Sequence, residues 1–430
     1  MIAIIRGLIV LGILGCAPAS GAAQTAPTSE TASQSSAPPA QPRVVVSQDG
    51  FAVESGNGDF RLQIGLLVHA DGRFALGDDN EQYVDNFSIR RVRPYLRGRI
   101  ARRFEFYFNP DFAGGTLVLQ DAYIDTVFAP AFRVRAGKGK TPFGFERLQS
   151  ASNILFMERA FPTALVPNRD IGVQVLGDIS DGVVSYLAGV MNGVADGGSA
   201  DVDNNDGKDV SGRVIVRPFT KRADAALRGL GVGLSGSRGA AAGVLALPVL
   251  RTQTLQQPYF SYAITGNNPV TADGTRYRYS PQLWYFRKAF GGWAEYVKTT
   301  MPLRRGDVTG DVDHEAWQVA ASWVLTGENA TDAGIGVRPR RNFDFGAGGW
   351  GAFQVAARYH FLQVDDRAFA LGFAATGASR KAEGYTVGLR WYATGNLWYT
   401  LNFERTVFDG DPGGPRPAEN GLAFRTQVNF

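Results

Sequence analysis

The chain has 430 residues, a net charge of +4, 44% hydrophobic residues and 20% charged residues, a balance that excludes an intrinsically disordered protein. Its 53 Gly and 12% aromatic residues are more typical of strands and tight turns than of a helical bundle. One Cys excludes a disulfide framework and a Cys-based zinc site, and three His argue against an all-His metal site. Only 7 of the 44 basic residues are Lys, so the chain favours the planar, permanently charged cation of Arg.

The N-terminal part has the composition of an export signal followed by a tether. Residues 1–23 carry one Arg, an apolar stretch from Gly7 to Gly15 and then small residues, which predicts a signal peptide too short to span a membrane. Lipoprotein processing before Cys16 is the alternative. Residues 24–43 are rich in Pro, Ser and Ala and predict a disordered linker. We therefore expect the folded domain to occupy residues 44–430.

The rest of the chain alternates between apolar and polar residues with a period of two. Between residues 60 and 74 one face carries Phe60, Leu62, Ile64, Leu66, Val68, Ala70 and Phe74, and the other carries Arg61, Gln63, His69, Asp71 and Arg73. Alternation alone fits a soluble sandwich as well as a membrane barrel. Strands of ten or more residues, alternating long and short connections, and a final alternating segment that ends at Phe430 favour the barrel.

Seventeen segments have the pattern of strands: 60–74, 87–100, 103–112, 118–128, 132–140, 171–178, 183–192, 210–219, 228–237, 256–264, 275–286, 292–301, 315–326, 352–364, 383–393, 396–407 and 420–430. Bacterial single-chain barrels have an even number of strands. Omitting 256–264 keeps the long connections after nearly every odd-numbered strand. We therefore predict an all-β fold, a transmembrane antiparallel β-barrel of 16 strands. The connection 327–351 is too long for the side that carries the short turns and is predicted only as an extended hairpin.

The predicted inner face of the barrel is rich in arginine. Arg91, Arg93, Arg97 and Arg99 share one face of a strand, provided that Pro94 introduces no bulge. A row of guanidinium groups in a narrow wet passage lowers the energy of anions, and their fork geometry suits phosphate. The lumen-facing candidates for an anion pathway are Arg61, Arg91, Arg93, Arg97, Arg99, Arg133, Arg135, Arg213, Arg217, Arg358 and Arg390. The alternative is that they pair with inner-face acids such as Glu105, Asp111, Asp121 and Asp125 and merely brace the wall.

The connection 141–170 is unusually apolar for a loop in water. This composition predicts a constriction loop folded back inside the barrel, with packing against a neighbouring subunit as the alternative. Its candidate site residues are Phe143, Glu146, Arg147, Glu158, Arg159, Arg169 and Asp170.

No catalytic or cofactor motif is recognisable. The acidic segment 201–208 lacks the spacing of a calcium loop, because Asp206 and Gly212 stand where such a loop needs Gly and Glu. His69, His314 and His360 have no partner at the spacing of a catalytic triad or a metal site. We therefore predict a protein that is not an enzyme, has no cofactor and no metal, and binds no nucleic acid.

Several stretches resemble the phosphate-selective porin family, O and P type, of Gram-negative outer membranes. They are residues 119–125, 139–146, 212–219, 316–328, 348–352 and 403–406. The resemblance implies a sixteen-stranded barrel, a homotrimer of separately conducting pores, a constriction loop after the fifth strand, and an arginine ladder with lysines that passes phosphate or polyphosphate. With 7 Lys in total, the chain departs from the lysine-rich part of that pattern.

These observations predict an outer-membrane porin for passive diffusion of small solutes, exported by its signal peptide, surrounded by lipid, and preferring anions such as phosphate. A general, weakly selective porin is the first alternative. A barrel with an enzymatic or adhesion role is the second.

Overall fold

A computed structural model describes residues 41–47, 49–77, 83–203, 205–222, 226–331, 336–410 and 414–430. The predicted signal peptide and residues 24–40 of the predicted linker lie outside the described residues. Within these ranges, no helix combines the length and the apolarity needed to cross a membrane.

Sixteen antiparallel strands form a closed barrel. Each pairs with the next in the chain, and the last pairs with the first from Gly421 opposite Ala75 to Asn429 opposite Leu67. The barrel strands are β3 (Arg61–Ala75), β4 (Asn86–Ile100), β5 (Phe104–Asp111), β6 (Val118–Ala129), β7 (Phe132–Lys140), β8 (Arg169–Ile179), β9 (Val184–Met191), β10 (Asp209–Val216), β11 (Leu230–Gly243), β14 (Thr271–Arg287), β15 (Phe290–Arg305), β16 (Val308–Val324), β17 (Ala352–Gln363), β18 (Lys381–Tyr392), β19 (Leu397–Asp409) and β20 (Glu419–Asn429).

The predicted barrel is confirmed, including the exclusion of segment 256–264. That segment lies in the connection between β11 and β14, where β12 (Leu250–Arg251) and β13 (Pro258–Phe260) form a separate two-stranded sheet. The predicted boundaries differ most where strands extend further than the sequence pattern indicated. β11 continues to Gly243, and β16 begins at Val308 instead of residue 315.

The alternation sets the two faces of the wall. Exposed apolar side chains such as Leu234, Val319 and Leu389 point outward, and polar side chains such as Gln318 and Thr386 are buried inside. Two lines of aromatic side chains, most of them in ring contact with a neighbour, run across the outer face. One contains Tyr296, Trp317, Tyr359, Phe361 and Tyr385, and the other contains Phe290, Trp323, Phe353, Trp391 and Tyr399. Phe353 and Phe361 of β17 are about 27 Å apart along the strand, so the two lines border an apolar band.

The connections differ between the two ends of the barrel. The long-loop end carries residues 76–85, 112–117, 141–168, 192–208, 244–270, 306–307, 364–380 and 410–418. The short-turn end carries residues 101–103, 130–131, 180–183, 217–229, 288–289, 325–351 and 393–396. At the long-loop end three connections fold inward and pack on one another. Phe161, Tyr259 and Phe373, one from each, are all fully buried in the same apolar cluster, and the helix α1 (Asp366–Ala370) lies beside them. The apolar cluster of these loops packs against inward-facing residues of β11 and of β14 to β18.

Two connections at the short-turn end are long, 217–229 and 325–351, and the second is not a simple extended hairpin. Val337 is buried against Tyr392 and Trp398 of the inner wall. The Gly336 N–H donates to Asn153 Oδ1 at 3.2 Å, and Arg338 pairs with Asp49 at 2.9 Å. Asp49 belongs to the turn between β1 (Arg43–Ser47) and β2 (Gly50–Glu54), a hairpin that pairs with the start of β3. The connection therefore reaches into the barrel from the end opposite to the long loops.

One bulge sets the register of the arginine-rich strand. His69 pairs with Arg91 while Ala70 pairs with Ile89, so Arg90 is the additional residue on β4. From Arg91 to Arg99 the pairing with β3 is regular, without a bulge at Pro94. Ile89, Leu96 and Ile100 are exposed on the outer face, and the predicted regular register of this row is confirmed.

Candidate functional site

The connection 141–168 folds into the lumen, and we call it the constriction loop. It follows β7, the fifth strand of the barrel, and its side chains Phe143, Phe156 and Phe161 are almost completely buried. Arg169 and Asp170, which the sequence placed in this loop, begin β8 instead. The apolar composition of the loop therefore reflects packing inside its own barrel.

Main-chain hydrogen bonds fix the constriction loop to the wall. Glu295 on β15 accepts the N–H groups of Phe145 at 2.6 Å and Glu146 at 3.2 Å. Asn402 Oδ1 on β19 accepts the N–H of Met157 at 2.8 Å. Because unpaired buried N–H groups are costly, these contacts specify where the loop lies.

Several inner-face arginines also hold this loop. Arg358 donates to the Glu158 carbonyl at 3.0 Å, Arg390 to the Ile154 carbonyl at 2.8 Å, and Arg425 to the Met157 carbonyl at 2.8 Å. Arg358 additionally pairs with Glu404 at 3.1 Å, and Arg425 pairs with Asp71 through two bonds of 2.7 Å. These guanidinium groups act as braces between loop and wall.

Glu158 is the carboxylate at which loop and strands meet. Its Oε1 lies 2.5 Å from Arg73, 2.9 Å from Arg90 and 3.8 Å from Arg425. Burial opposes the charged form, but Arg90, Arg73, Arg91 and Arg425 together hold the pKa of Glu158 well below its ordinary value. The carboxylate is therefore ionised and anchors the loop between β3 and β4.

A cavity of about 550 Å³ lies between the constriction loop, the connections 192–208 and 244–270, and strands β4 and β8. We call it the arginine cavity. Two carboxylates, Glu158 and Asp196, line it. Seven guanidinium groups line it as well, those of Arg90, Arg91, Arg93, Arg147, Arg159, Arg169 and Arg251.

Three of these arginines have carboxylate partners. Arg90 pairs with Glu158, Arg93 with Asp111 at 2.7 Å, and Arg169 with Asp121 through bonds of 3.1 and 3.2 Å. Asp196, the second lining acid, pairs with Arg276 and Arg278 outside the cavity lining.

The other four arginines have no carboxylate within 4 Å in the part of the chain that the structure describes. Arg91 bonds to His69 Nδ1 at 3.0 Å, and Arg251 donates to the Gln256 carbonyl at 3.1 Å. Arg147 donates to the Thr163 carbonyl, and Arg159 to the carbonyls of Glu146 and Gln149. The cavity therefore carries an excess of positive charge.

The predicted row on β4 is divided between two places. Arg91 and Arg93 reach the arginine cavity, whereas Arg97 and Arg99 line a second cavity nearer the short-turn end, together with Arg61. Arg61 and Arg99 lie 3.4 and 3.7 Å from Glu54. On the neighbouring strands, Arg133 pairs with Glu105 at 3.2 Å and Arg135 grips Asp125 with bonds of 2.7 and 2.8 Å.

The remaining predicted site residues have hydrogen-bond or packing partners in the loops and the wall. Phe143 packs in the apolar cluster, and Glu146 accepts the Ala160 N–H at 2.9 Å and Gln318 at 3.0 Å. Asp170 accepts the N–H groups of Ile171 and Gly193. Arg213 bonds to Gln282 at 2.9 Å, and Arg217 bonds to Ser185 at 3.3 Å.

Sequence reasoning missed Arg90 and Arg251 as lining residues of the arginine cavity. Arg90 is absent from the lumen-facing candidates because the bulge that turns it inward does not show in the apolar–polar alternation. Arg251 lies in a connection without a strand pattern of its own. The pair Arg90-Arg91 was the available signal, because two consecutive arginines at a strand position that crosses a membrane need a bulge or a strand end.

Comparison with known proteins agrees with this architecture. A family model described as "Phosphate-selective porin O and P" matches residues 62–430. No curated protein matches the chain.

Several solved structures share the fold at low sequence identity. The outer-membrane channel DcaP of Acinetobacter baumannii has a TM-score of 0.55 at 10% identity, covering 88% of this chain and 99% of that one. OmpF of Salmonella typhi in complex with daunomycin has a TM-score of 0.54 at 11% identity, covering 87% and 99%. OmpT of Vibrio cholerae has a TM-score of 0.52 at 9% identity, covering 86% and 98%.

Proposed function

Because the chain belongs to the phosphate-selective porin O and P family, we propose that this outer-membrane porin passes small anions by passive diffusion and prefers anions of the phosphate class. The signal peptide at 1–23, or lipidation at Cys16, brings it to the outer membrane. Transport through such a pore needs no chemical step, since solutes move down their gradients and the pore sets only the size and charge that pass.

The observation that carries this proposal is the charge of the arginine cavity. Arg91, Arg147, Arg159 and Arg251 surround one space at the long-loop end, and no carboxylate within 4 Å in the described residues neutralises them. Charged groups with low-dielectric walls concentrate counter-ions, so this cavity favours anions over cations. The alternative of wall braces describes Arg358 and Arg425, which pair with Glu404 and Asp71, better than it describes these four.

The chemistry of the cations supports phosphate within the class of anions. Every basic residue that lines the cavity is an arginine. The guanidinium fork binds tetrahedral oxyanions with two parallel hydrogen bonds, which a halide cannot use in the same way. We therefore propose that phosphate binds in the arginine cavity on its way through the pore and competes there with chloride.

We also propose that the porin assembles as a homotrimer. One structure that shares its fold, OmpT of Vibrio cholerae, was solved in a trimer form, with a TM-score of 0.50 and 11% identity. The constriction loop packs inside its own barrel, so each subunit carries a complete cavity and conducts separately.

A double variant tests the anion preference. Arg91→Gln with Arg159→Gln removes two cations that have no carboxylate within 4 Å among the described residues. The ratio of chloride to potassium permeability and the phosphate block of chloride current are therefore both expected to fall. Reversal potentials in planar bilayers under a KCl gradient, with and without phosphate, measure both.

The matched control is Arg135→Gln with Asp125→Asn, which removes a paired cation and its anion together. Its net charge is unchanged, and its selectivity is expected to stay close to that of the wild type. Equal selectivity of the wild type and of the Arg91/Arg159 variant would show that the arginine cavity does not set the preference.

A further inference from the structure

The second cavity on the β4–β6 wall has a different character from the arginine cavity. Its volume is about 250 Å³, and Arg97, Tyr107 and Tyr123 are among its lining residues. We call it the tyrosine recess. Arg97 lies four residues beyond Arg93, about 13 Å along the strand, so the recess lies closer to the short-turn end.

Three tyrosines from adjacent strands form a row along the wall at this place. The ring centroids of Tyr95 and Tyr107 are 5.9 Å apart, and those of Tyr107 and Tyr123 are 5.7 Å apart. A Cβ on Gly65 would come within 2.1 Å of the Tyr95 ring, so only glycine lets that ring lie flat on the wall. The row offers flat aromatic surface to the lumen beside the charged side chains of Arg97 and Arg99.

Most cations around the recess have a carboxylate partner, although Glu54 is shared by Arg43, Arg61 and Arg99. Arg61 and Arg99 share Glu54, and Arg135 pairs with Asp125 while covering the Tyr123 ring at 3.7 Å. Arg97 is exposed, lies 5.7 Å from the centroid of Tyr95, and has no carboxylate within 4 Å among the described residues. One available cation therefore stands beside the half-buried ring of Tyr107.

From this arrangement we propose that the tyrosine recess binds aromatic monocarboxylates, a proposal that rests on the proposed passage of anions through this pore. The carboxylate of the ligand pairs with the Arg97 guanidinium, and the ring of the ligand stacks in an offset arrangement on the Tyr107 ring. The recess is smaller than the pockets of about 300–1,000 Å³ that hold drug-sized ligands, so it fits a single ring and its carboxylate. A small carboxylate without a ring uses only the Arg97 contact.

Benzoate and acetate are the probes, because they carry the same charge at neutral pH and differ in the ring. In planar bilayers containing the full-length porin, benzoate is expected to reduce the chloride current at concentrations about two- to tenfold lower than acetate, the range that one aromatic pair supports. Tyr107→Leu is expected to raise the benzoate concentration that reduces the chloride current to the concentration of acetate that has the same effect. Tyr107→Phe is expected to preserve the difference between benzoate and acetate. Tyr279→Leu, which removes a tyrosine from the outer face, is the matched control and leaves the difference unchanged.

The outcomes separate this inference from the proposed function. Equal effects of benzoate and acetate on an anion-preferring wild-type channel would overturn the tyrosine recess and leave the anion pore intact. A benzoate preference that survives Tyr107→Leu would also overturn it. A wild-type channel without anion preference would instead contradict the proposed function.

Discussion

Arginine has two roles inside this barrel, and the partner of each guanidinium decides which one it has. Arg425 pairs with Asp71, which compensates its charge. It also donates to the Met157 carbonyl of the constriction loop and so holds the loop in place. Arg91 has the same charge and comparable burial, but its partner is His69. Both arginines face the lumen, and the apolar–polar alternation cannot distinguish them because it gives the face of a side chain and not the group opposite it on the neighbouring strand, His69 for Arg91 and Asp71 for Arg425.

Glu158 is the residue whose loss is expected to loosen the constriction loop most. Glu158→Gln leaves Arg73 and Arg90 without this carboxylate, and breaking a buried ion pair costs about 3–5 kcal/mol in the free energy of unfolding. Thermal unfolding of the refolded barrel, followed by gel mobility, is expected to shift to lower temperature. The control Asp273→Asn breaks an exposed pair with Arg304 and is expected to cost about 0–1 kcal/mol.

The pH dependence of this contribution follows from the direction of the pKa shift. Because the pKa of Glu158 is lowered in the folded protein, its stabilisation is present above the ordinary Glu pKa and is lost only as the pH falls through the lower, folded value. The difference in stability between the wild type and Glu158→Gln is therefore expected to be constant from neutral pH down to the ordinary Glu range and to shrink only below it. A difference that disappears already at pH 6 would assign the effect to another group.

At the scale of single elements, the bulge in β4 explains how two consecutive arginines reach the lumen. Ile89 already points outward and Arg91 inward, so deleting Arg90 restores simple alternation without turning any other side chain. The deletion variant is expected to assemble like the wild type, as judged by the heat-modifiable gel mobility of the refolded barrel.

Deleting Val92 instead is the matched control. It forces a register slip that turns Arg91 or Arg93 toward lipid, which costs about 2–4 kcal/mol at mid-membrane. Similar assembly of the two deletion variants would contradict the register described for this strand.

The constriction loop is expected to limit the conductance of the pore. Deleting Ser150–Phe161 removes Phe156 and Glu158 from the lumen, so single-channel conductance is expected to rise severalfold. The sixteen strands do not depend on this segment for their pairing, and the variant is expected to fold. An unchanged conductance from a folded variant would place the narrowest point elsewhere, with the connection 325–351 as the next element to remove.

The strands were predictable from the sequence because each one repeats a local rule, with apolar residues toward lipid and polar residues toward the lumen. Segment 256–264 was excluded because a barrel needs an even number of strands, and this exclusion is correct. The segment is apolar for a reason other than membrane contact. Tyr259 and Phe260 are buried because their connection folds inward onto the constriction loop. This packing joins segments that are distant in the chain, and so does the hydrogen bond between Gly336 and Asn153. The periodicity of a single segment cannot predict such contacts.

At the scale of the whole molecule, the in-folded loops and the closed wall together determine what remains of the lumen. The apolar cluster of the loops packs against β11 and β14 to β18, and the wall residues of the two cavities lie on β3 to β8. In the part of the chain that the structure describes, the cavity-lining cations with no carboxylate within 4 Å are Arg91, Arg147, Arg159 and Arg251 in one cavity and Arg97 in the other. Arg91 and Arg97 are both on β4, so these cations extend from the long-loop end toward the short-turn end.

The reversal potential of the wild-type channel in a planar bilayer under a KCl gradient tests the central claim most directly. An anion-preferring pore is expected to give a reversal potential with the sign of the chloride equilibrium potential. Added phosphate is expected to reduce the chloride current by occupying the arginine cavity. A potential of the sign set by potassium, from a folded and conducting barrel, would contradict the account.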